Sequence, residues 1–372
     1  MAKSLNIDEE KQKDELIKIL RRAVQSANLN FILGSGCSYP AIKTLSDVEK
    51  RAEQLIHEGK VTEADKILAE FLKPFVDSTE QLFKSELDGN HQKVLAIYKH
   101  FIENISNILF ERKNNILFKQ ANIFTTNYDL FIEKAHEELS DVLRLNDGFN
   151  RTPSLKQEYL YSPQIFFDSL NNTGNLYKYK VEVPSVNLIK LHGSLNWELT
   201  ENNIEIIQSC EYLDTANDMI TKDTVKNKPD AFLDLFTLIL PKKDKFAQTL
   251  LNRTYYDLLR IYQNELDKEN TLLIAEGFSF ADEHIYDLTK RALKNPTLRL
   301  IVFCFDKNKE LSYYEDLFAS FPNVNIIYSE TDEIKFDKFN DILDSIVPVE
   351  RNKDKDLNAN IPLTKEEENE DE

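Results

Sequence analysis

Cysteine is scarce in this chain and badly spaced for bonding. Cys37, Cys210 and Cys304 lie far apart, are odd in number and include no CxxC pair. That excludes a disulfide framework and a four-cysteine zinc site, so no metal is expected and a reducing, cytoplasmic setting fits. Long hydrophobic runs are missing too. Nothing approaches the roughly 20 apolar residues that a membrane helix requires. The N-terminal stretch MAKSLNIDEEKQKDELIK is charged and has no apolar h-region, so it does not read as a secretory signal. Positive charge is in deficit: the formal net charge is −18. Phosphate backbones call for clustered Lys and Arg, so direct nucleic-acid binding is not expected, although a local basic pocket stays open. Part of the acidity sits in KEEENEDE, residues 365–372, a run too charged to pack that ends an acidic, disordered tail expected at 346–372.

What is present suffices for a core. The chain has 372 residues, of which 41% are hydrophobic. Residues 1–345 read as one domain interrupted by a helical insertion at about 44–118, which carries Leu, Ile and Phe at helical spacing and almost no glycine. Pro74 is expected to break that insertion into separate helices. Residues 8–26 read as an amphipathic helix. Apolar strands are expected in LNFIL, ANIFT, VNLIK, LFTLILP (235–241), TLLIAE and LRLIVF, with NVNIIYSE as an added edge strand. Helices are expected in YYDLLRIYQNELDK and DEHIYDLTKRALK. Residues 139–186 read as loops and short strands. Apolar strands alternating with helices predict a Rossmann-like α/β fold: a parallel sheet with helices on both faces, plus the insertion. Such sheets bind ligands beyond the carboxyl ends of their strands.

Four polar motifs fall at such ends. Gly34-Ser35-Gly36-Cys37-Ser38 would let backbone approach a pyrophosphate. It lacks the third glycine of a GxGxxG fingerprint, where Tyr39 stands, and it lacks a Walker Gly-Lys-Ser/Thr. In TTNYD, Thr126 and Asp129 form a T-x-x-D helix cap on a structural reading, which leaves Asn127 unexplained. His192 precedes Gly193 and Ser194 after a strand. Its ordinary pKa near 6.5 suits general-base work, although a lone histidine is more often structural. Gly277-Phe278-Ser279 offers another close approach and hydroxyl. Asp282 there reads as a helix cap and His284 as a surface residue.

Taken in order, these motifs resemble the SIR2 family, and more closely the SIR2-like domains of bacterial anti-phage defence proteins. Gly34-Ser35-Gly36-Cys37-Ser38 is similar to the family's GAGxS loop, Thr125-Thr126-Asn127-Tyr128-Asp129 to its TQNxD motif, His192-Gly193 to its catalytic HG, and Gly277-Phe278-Ser279 to its late GxS. The resemblance covers roughly residues 28–310. Two departures stand out. Only Cys210 occurs where sirtuin deacylases carry a four-cysteine zinc module, and Tyr39-Pro40-Ala41-Ile42-Lys43 replaces GIPDFR.

The resemblance therefore implies NAD as substrate and hydrolysis more than deacylation. Asn127 would orient water or ribose, and His192 would be the general base. Gly34, Ser35, Gly36 and Ser38 would cradle the pyrophosphate. Asp129 would order the loop or the ribose, Thr126 would contact the cofactor, and Gly277 and Ser279 would contact ribose or phosphate. Asp306 would reach the adenosine ribose, and Lys190 and Lys43 would offset phosphate charge. Cys37 reads as a small buried residue. The defence relatives also imply a homo-oligomer or a separately encoded HerA-type ATPase as regulator. The insertion is either a contact surface for such partners or a cap over the pocket. The rival functions are a deacylase or ADP-ribosyltransferase, and a non-catalytic sensor of NAD or ADP-ribose.

Overall fold

A computed structural model describes residues 1–43, 48–84, 86–112, 117–139, 142–151, 159–173, 180–199, 204–206, 211–238 and 249–346. Cys210 and the acidic tail beyond Ile346 lie outside them.

Eight strands form one sheet. In chain order they are β1 (Lys3–Asn6), β2 (Asn28–Leu33), β3 (Gln120–Thr125), β4 (Arg144–Asn146), β5 (Ser185–Lys190), β6 (Thr271–Glu276), β7 (Leu298–Phe303) and β8 (Val324–Tyr328). Their spatial order is β1-β8-β7-β6-β2-β3-β5-β4, and every pairing is parallel. Side chains alternate between two cores, as a period of two requires. In β6, Leu272 and Ile274 enter one core, while Leu273 and Ala275 enter the other. The first core also takes in the helices Glu10–Ser26, Val61–Phe83, Gly89–Phe110 and Phe336–Asp344. The second is covered by Thr249–Asp267, Glu283–Ala292 and a small antiparallel sheet containing Trp197. Burial on both faces explains why the strands are predominantly apolar.

Four asparagines cross the sheet in register. Asn30, Asn122, Asn187 and Asn146 face one another on β2, β3, β5 and β4. The Asn122 amide donates to Asn30 Oδ1 at 2.8 Å, Asn187 donates to Asn122 Oδ1 at 2.8 Å, and Asn146 donates to Asn187 Oδ1 at 3.0 Å. Glu265 Oε2 accepts a second bond from Asn122 at 3.1 Å. A buried amide is costly alone and acceptable when each partner is satisfied.

The structure corrects several expectations. Pro74 does not break the insertion: it lies inside the continuous helix Val61–Phe83. The breaks fall elsewhere, between His57 and Val61, where Gly59 adopts φ 80°, and between Phe83 and Gly89, where Asp88 caps the next helix. Burial of Phe71, Leu72, Phe75 and Val76 on both sides of the proline holds the helix together. NVNIIYSE supplies β8, which is not an edge, because β1 pairs outside it. Of LFTLILP, Leu235 to Leu238 are described and give a bridge from Leu238 to Gly193, while 239–241 lie outside the described residues.

Candidate functional site

The chain leaves β2 and β6, which are neighbours, toward opposite sides of the sheet, so a crevice opens between their carboxyl ends. Two glycine turns meet there. The Gly34 N–H donates to Glu276 O at 3.0 Å, and the Gly36 N–H donates to Gly277 O at 3.2 Å. A Cβ on Gly34 would lie 2.1 Å from Gly277 O, and Gly277 itself adopts φ 60°. Side chains are thus excluded at Gly34, and Gly277 occupies a conformation that favours glycine.

A cavity of about 920 Å³ opens over this junction. Ser35, Gly36, Thr126, Asn127, His192, Gly277 and Ser279 all line it. The strand-end motifs, scattered along the chain, therefore share one chamber. Its walls include Phe71, Phe75, Lys93 and Ile97 from the insertion, and Phe336 and Asp337 from the C-terminal helix. Lys43 lies on its rim, exposed.

Asn127 is held from behind. Its Nδ2 donates to Gly34 O at 3.0 Å and approaches Ser38 Oγ at 3.4 Å. Ser38 Oγ in turn donates to Asp129 Oδ2 at 2.7 Å and sits 3.0 Å from the Tyr98 hydroxyl. With its amide nitrogen committed, Asn127 presents an acceptor oxygen for a ligand. Ser38 and Asp129 are buried and do not line the cavity: they form the strut that orients Asn127. Burial pushes the Asp129 carboxyl up, against the opposing pull of Lys190 and Ser38.

The expected Thr126 cap is not the one used. Thr125 Oγ1 accepts from the Asn127 N–H at 3.0 Å and donates to Leu33 O at 2.9 Å, while Asp129 Oδ1 accepts from the Phe131 N–H at 3.3 Å. Thr126 is thereby left on the cavity wall. Lys190 is likewise not on the wall. Its Nζ is buried against Glu133 at 2.7 Å and Ser194 Oγ at 2.8 Å, and it donates to Asp129 O. Asp306 caps the segment after β7 by accepting from the Asn308 N–H at 2.9 Å, and it pairs with Lys309 at 3.1 Å. Phe305 and Glu310, rather than Asp306, reach the cavity from that region. Cys37 is buried, with its thiol donating to Glu276 O at 3.3 Å. Burial, and then the charges of Glu276 and Asp129, push that thiol well up.

Two acidic residues, Asp282 and Glu276, also stand on the wall. Asp282 Oδ2 lies 2.9 Å from His192 Nε2, while its Oδ1 accepts from the Ile285 N–H at 3.0 Å as a helix cap. Burial would raise the Asp282 carboxyl, but the hydrogen bond and charge of His192 and the Ile285 N–H outweigh it and hold the group below its ordinary value. Glu276, at the end of β6, is buried, and its Oε2 has no hydrogen-bond partner. Burial, with Glu310 and Asp337 adding like charge, pushes it well above the ordinary carboxylate range. A capping consensus pointed to Asp282. No local pattern marked Glu276, which sits in an apolar run. Among the described residues, no group of three His, Cys, Asp or Glu could hold a metal ion, and no helix is long and apolar enough to cross a membrane.

An all-parallel sheet, with glycine turns meeting at its switch point beneath a cavity lined by Asn127 and His192, defines an α/β protein built to hold a ligand of nucleotide size. The family model described as SIR2-like domain matches residues 121–319, more than half of the 372 residues, and the chain belongs to that family. The match includes the Asn127, His192 and Gly277 motifs and begins after the Gly34 turn and the insertion. No curated protein matches. Among solved structures, a Sir2 mutant with a p53 peptide and NAD aligns with 13% identity and a TM-score of 0.41, covering 88% of this chain and 95% of that one. Sir2Tm bound to a propionylated peptide aligns with 13% identity and a TM-score of 0.41, covering 88% and 96%.

Proposed function

We propose that this chain hydrolyses NAD+ at the bond between nicotinamide and ribose. The observation that carries the reading is the placement of Asn127 and His192 on the wall of one cavity at the sheet's switch point. Its volume of about 920 Å³ is near the upper end of the usual 300–1,000 Å³ for ligand pockets, which suits a dinucleotide. The backbone of Gly36, with Ser35 beside it, offers the close approach that a pyrophosphate needs.

The leaving nicotinamide carries positive charge, so cleavage develops an oxocarbenium-like ribose. The acceptor oxygen of Asn127 orients the attacking water or a ribose hydroxyl without adding charge. Because His192 Nε2 is engaged by Asp282, Nδ1 is the nitrogen left to take a proton. Water adds to the anomeric carbon, the bonding pair leaves with the nicotinamide nitrogen, and the released proton passes to His192. A positioned base of this kind contributes about 10²–10⁴-fold. Phe71, Phe75 and Phe336 line the chamber with apolar surface, which limits bulk water.

The residue pattern that resembles defence proteins supports a setting in which NAD+ loss arrests an infected cell. In that setting a homo-oligomer or a HerA-type ATPase would keep the enzyme quiet until triggered. Deacylation is disfavoured because a single cysteine, Cys210, lies between His192 and Gly277, too few for a sirtuin zinc module. The test is incubation of the chain with NAD+, alone and with candidate partners, and quantitation of nicotinamide and ADP-ribose. Release should be stoichiometric, need no acyl-lysine acceptor and fall at least 100-fold in Asn127→Ala and His192→Ala. Turnover that survives both changes rejects the site.

A further inference from the structure

The loop from Gly277 to Asp282 is anchored by two buried phenylalanines. Phe278 and Phe280 are buried and pack edge to face, with ring centroids 4.9 Å apart. Phe280 also packs against Phe318 at 5.2 Å, and the Tyr314 hydroxyl donates to Phe278 O at 3.2 Å. Phe280 adopts φ 56°, a left-handed conformation that costs a bulky residue and persists where packing over-determines it. The consequence is the aim of Asp282, two residues on. One carboxylate serves two elements: Oδ1 starts the helix Glu283–Ala292, and Oδ2 meets His192 Nε2 at 2.9 Å.

We propose that Asp282 is the positioning residue of the site, holding His192 in the Nε2–H tautomer with Nδ1 as the basic nitrogen. The proposal deepens the hydrolase reading and rests on His192 being its base. A carboxylate is acceptor-only when ionised, so Nε2 must carry the hydrogen in the bond it makes. Imidazole otherwise chooses its tautomer by local chance, and a base in the wrong tautomer offers a hydrogen where a lone pair is needed. Once His192 takes the proton, the same carboxylate faces the imidazolium at hydrogen-bond distance and stabilises it. The aromatic rings of Tyr128 and Tyr255 lie 6.5 and 6.4 Å from the imidazole centroid, and neither of these contacts fixes a nitrogen.

Capping and positioning can be separated by substitution. Serine is an excellent N-cap but is too short to reach His192, so Asp282→Ser should keep the helix and release the imidazole. Asp282→Asn also caps, yet can offer an N–H to Nε2 and favour the wrong tautomer. Nitrogen-15 NMR of histidine-labelled full-length chain, with His192 assigned through His192→Gln, reads the tautomer without any substrate. The wild type should show His192 with Nε2–H, and Asp282→Ser should show a mixture. With NAD+, both variants should lose 10²–10⁴-fold in kcat with less than a few-fold change in KM. A wild-type His192 in the Nδ1–H form, or Asp282→Ser with wild-type kcat, overturns the proposal. A wild type with the Nε2–H tautomer but no nicotinamide release in any condition sinks the hydrolase reading instead and leaves the tautomer assignment standing.

Discussion

Glu276 shows how one residue can carry a cost that its neighbours conceal. It stands at the end of an apolar strand, its carboxyl is buried without a partner for Oε2, and burial pushes its pKa well above the ordinary range. The folded chain therefore keeps a proton that the unfolded chain releases near pH 4.3. Stability from this group is complete below that pH and declines as pH rises toward the folded value, by up to about 1.4 kcal/mol per pH unit. Glu276→Gln keeps the shape and removes the titration. The variant should gain Tm relative to wild type progressively as pH rises above the ordinary carboxylate range, read by calorimetry; a constant offset would show that Glu276 ionises normally. A neutral acid at this point is also compatible with an anionic ligand in a cavity that already contains Glu310 and Asp337. Lys190 illustrates the opposite case. Its sequence position at a strand end suggested phosphate binding, but the pleat turns its ammonium inward to Glu133.

At the scale of elements, periodicity in the sequence located the helices and strands well, because a two-sided core demands predominantly apolar strands. It failed where a tertiary partner decided the outcome. Pro74 carries a strong local breaking signal, worth about 3 kcal/mol in a helix interior, yet buried phenylalanines on both sides outweigh it. Lys3–Asn6 is a short, partly exposed strand with no distinct pattern, and it exists because β8 offers a free edge. The asparagine row was invisible as well, since each residue reads singly as a polar interruption in a strand. Register alone aligns the four. Asn122→Ala removes an inner member and leaves Asn30, Asn187 and Glu265 each short of a partner. It should destabilise the fold by about 1–3 kcal/mol by denaturant titration, with no change in the cavity. Loss below a few tenths would mean water replaces the row without penalty.

For the whole molecule, the cavity is assembled from segments distant in sequence. The insertion supplies one wall, the C-terminal helix another, and the two are joined: the Asn104 amide donates to Asn340 O at 3.2 Å, and the Asn340 amide donates to Ile97 O at 3.0 Å. Tyr98 and Phe101 pack against Phe336 across the same seam at 5.0 and 5.2 Å. A ligand held between them should tighten both. In the Asn127→Ala chain, NAD+ at 100 times its Kd should add about 2.7 kcal/mol of stability. Hydrogen exchange should slow in Gly89–Phe110 and Phe336–Asp344 together; slowing confined to the strand ends would exclude the insertion from the site. The sequence by itself determined the parallel α/β class, the four polar turns and their order, because apolar runs, glycine and hydroxyl clusters are local signals set by backbone chemistry. Only the tertiary structure decided that Asp282 faces His192, that Ser38 and Asp129 stand behind Asn127 rather than in the chamber, and that a buried acid lies on its wall. Those facts depend on which side of a pleat or turn a side chain leaves, and on what another part of the chain brings to meet it.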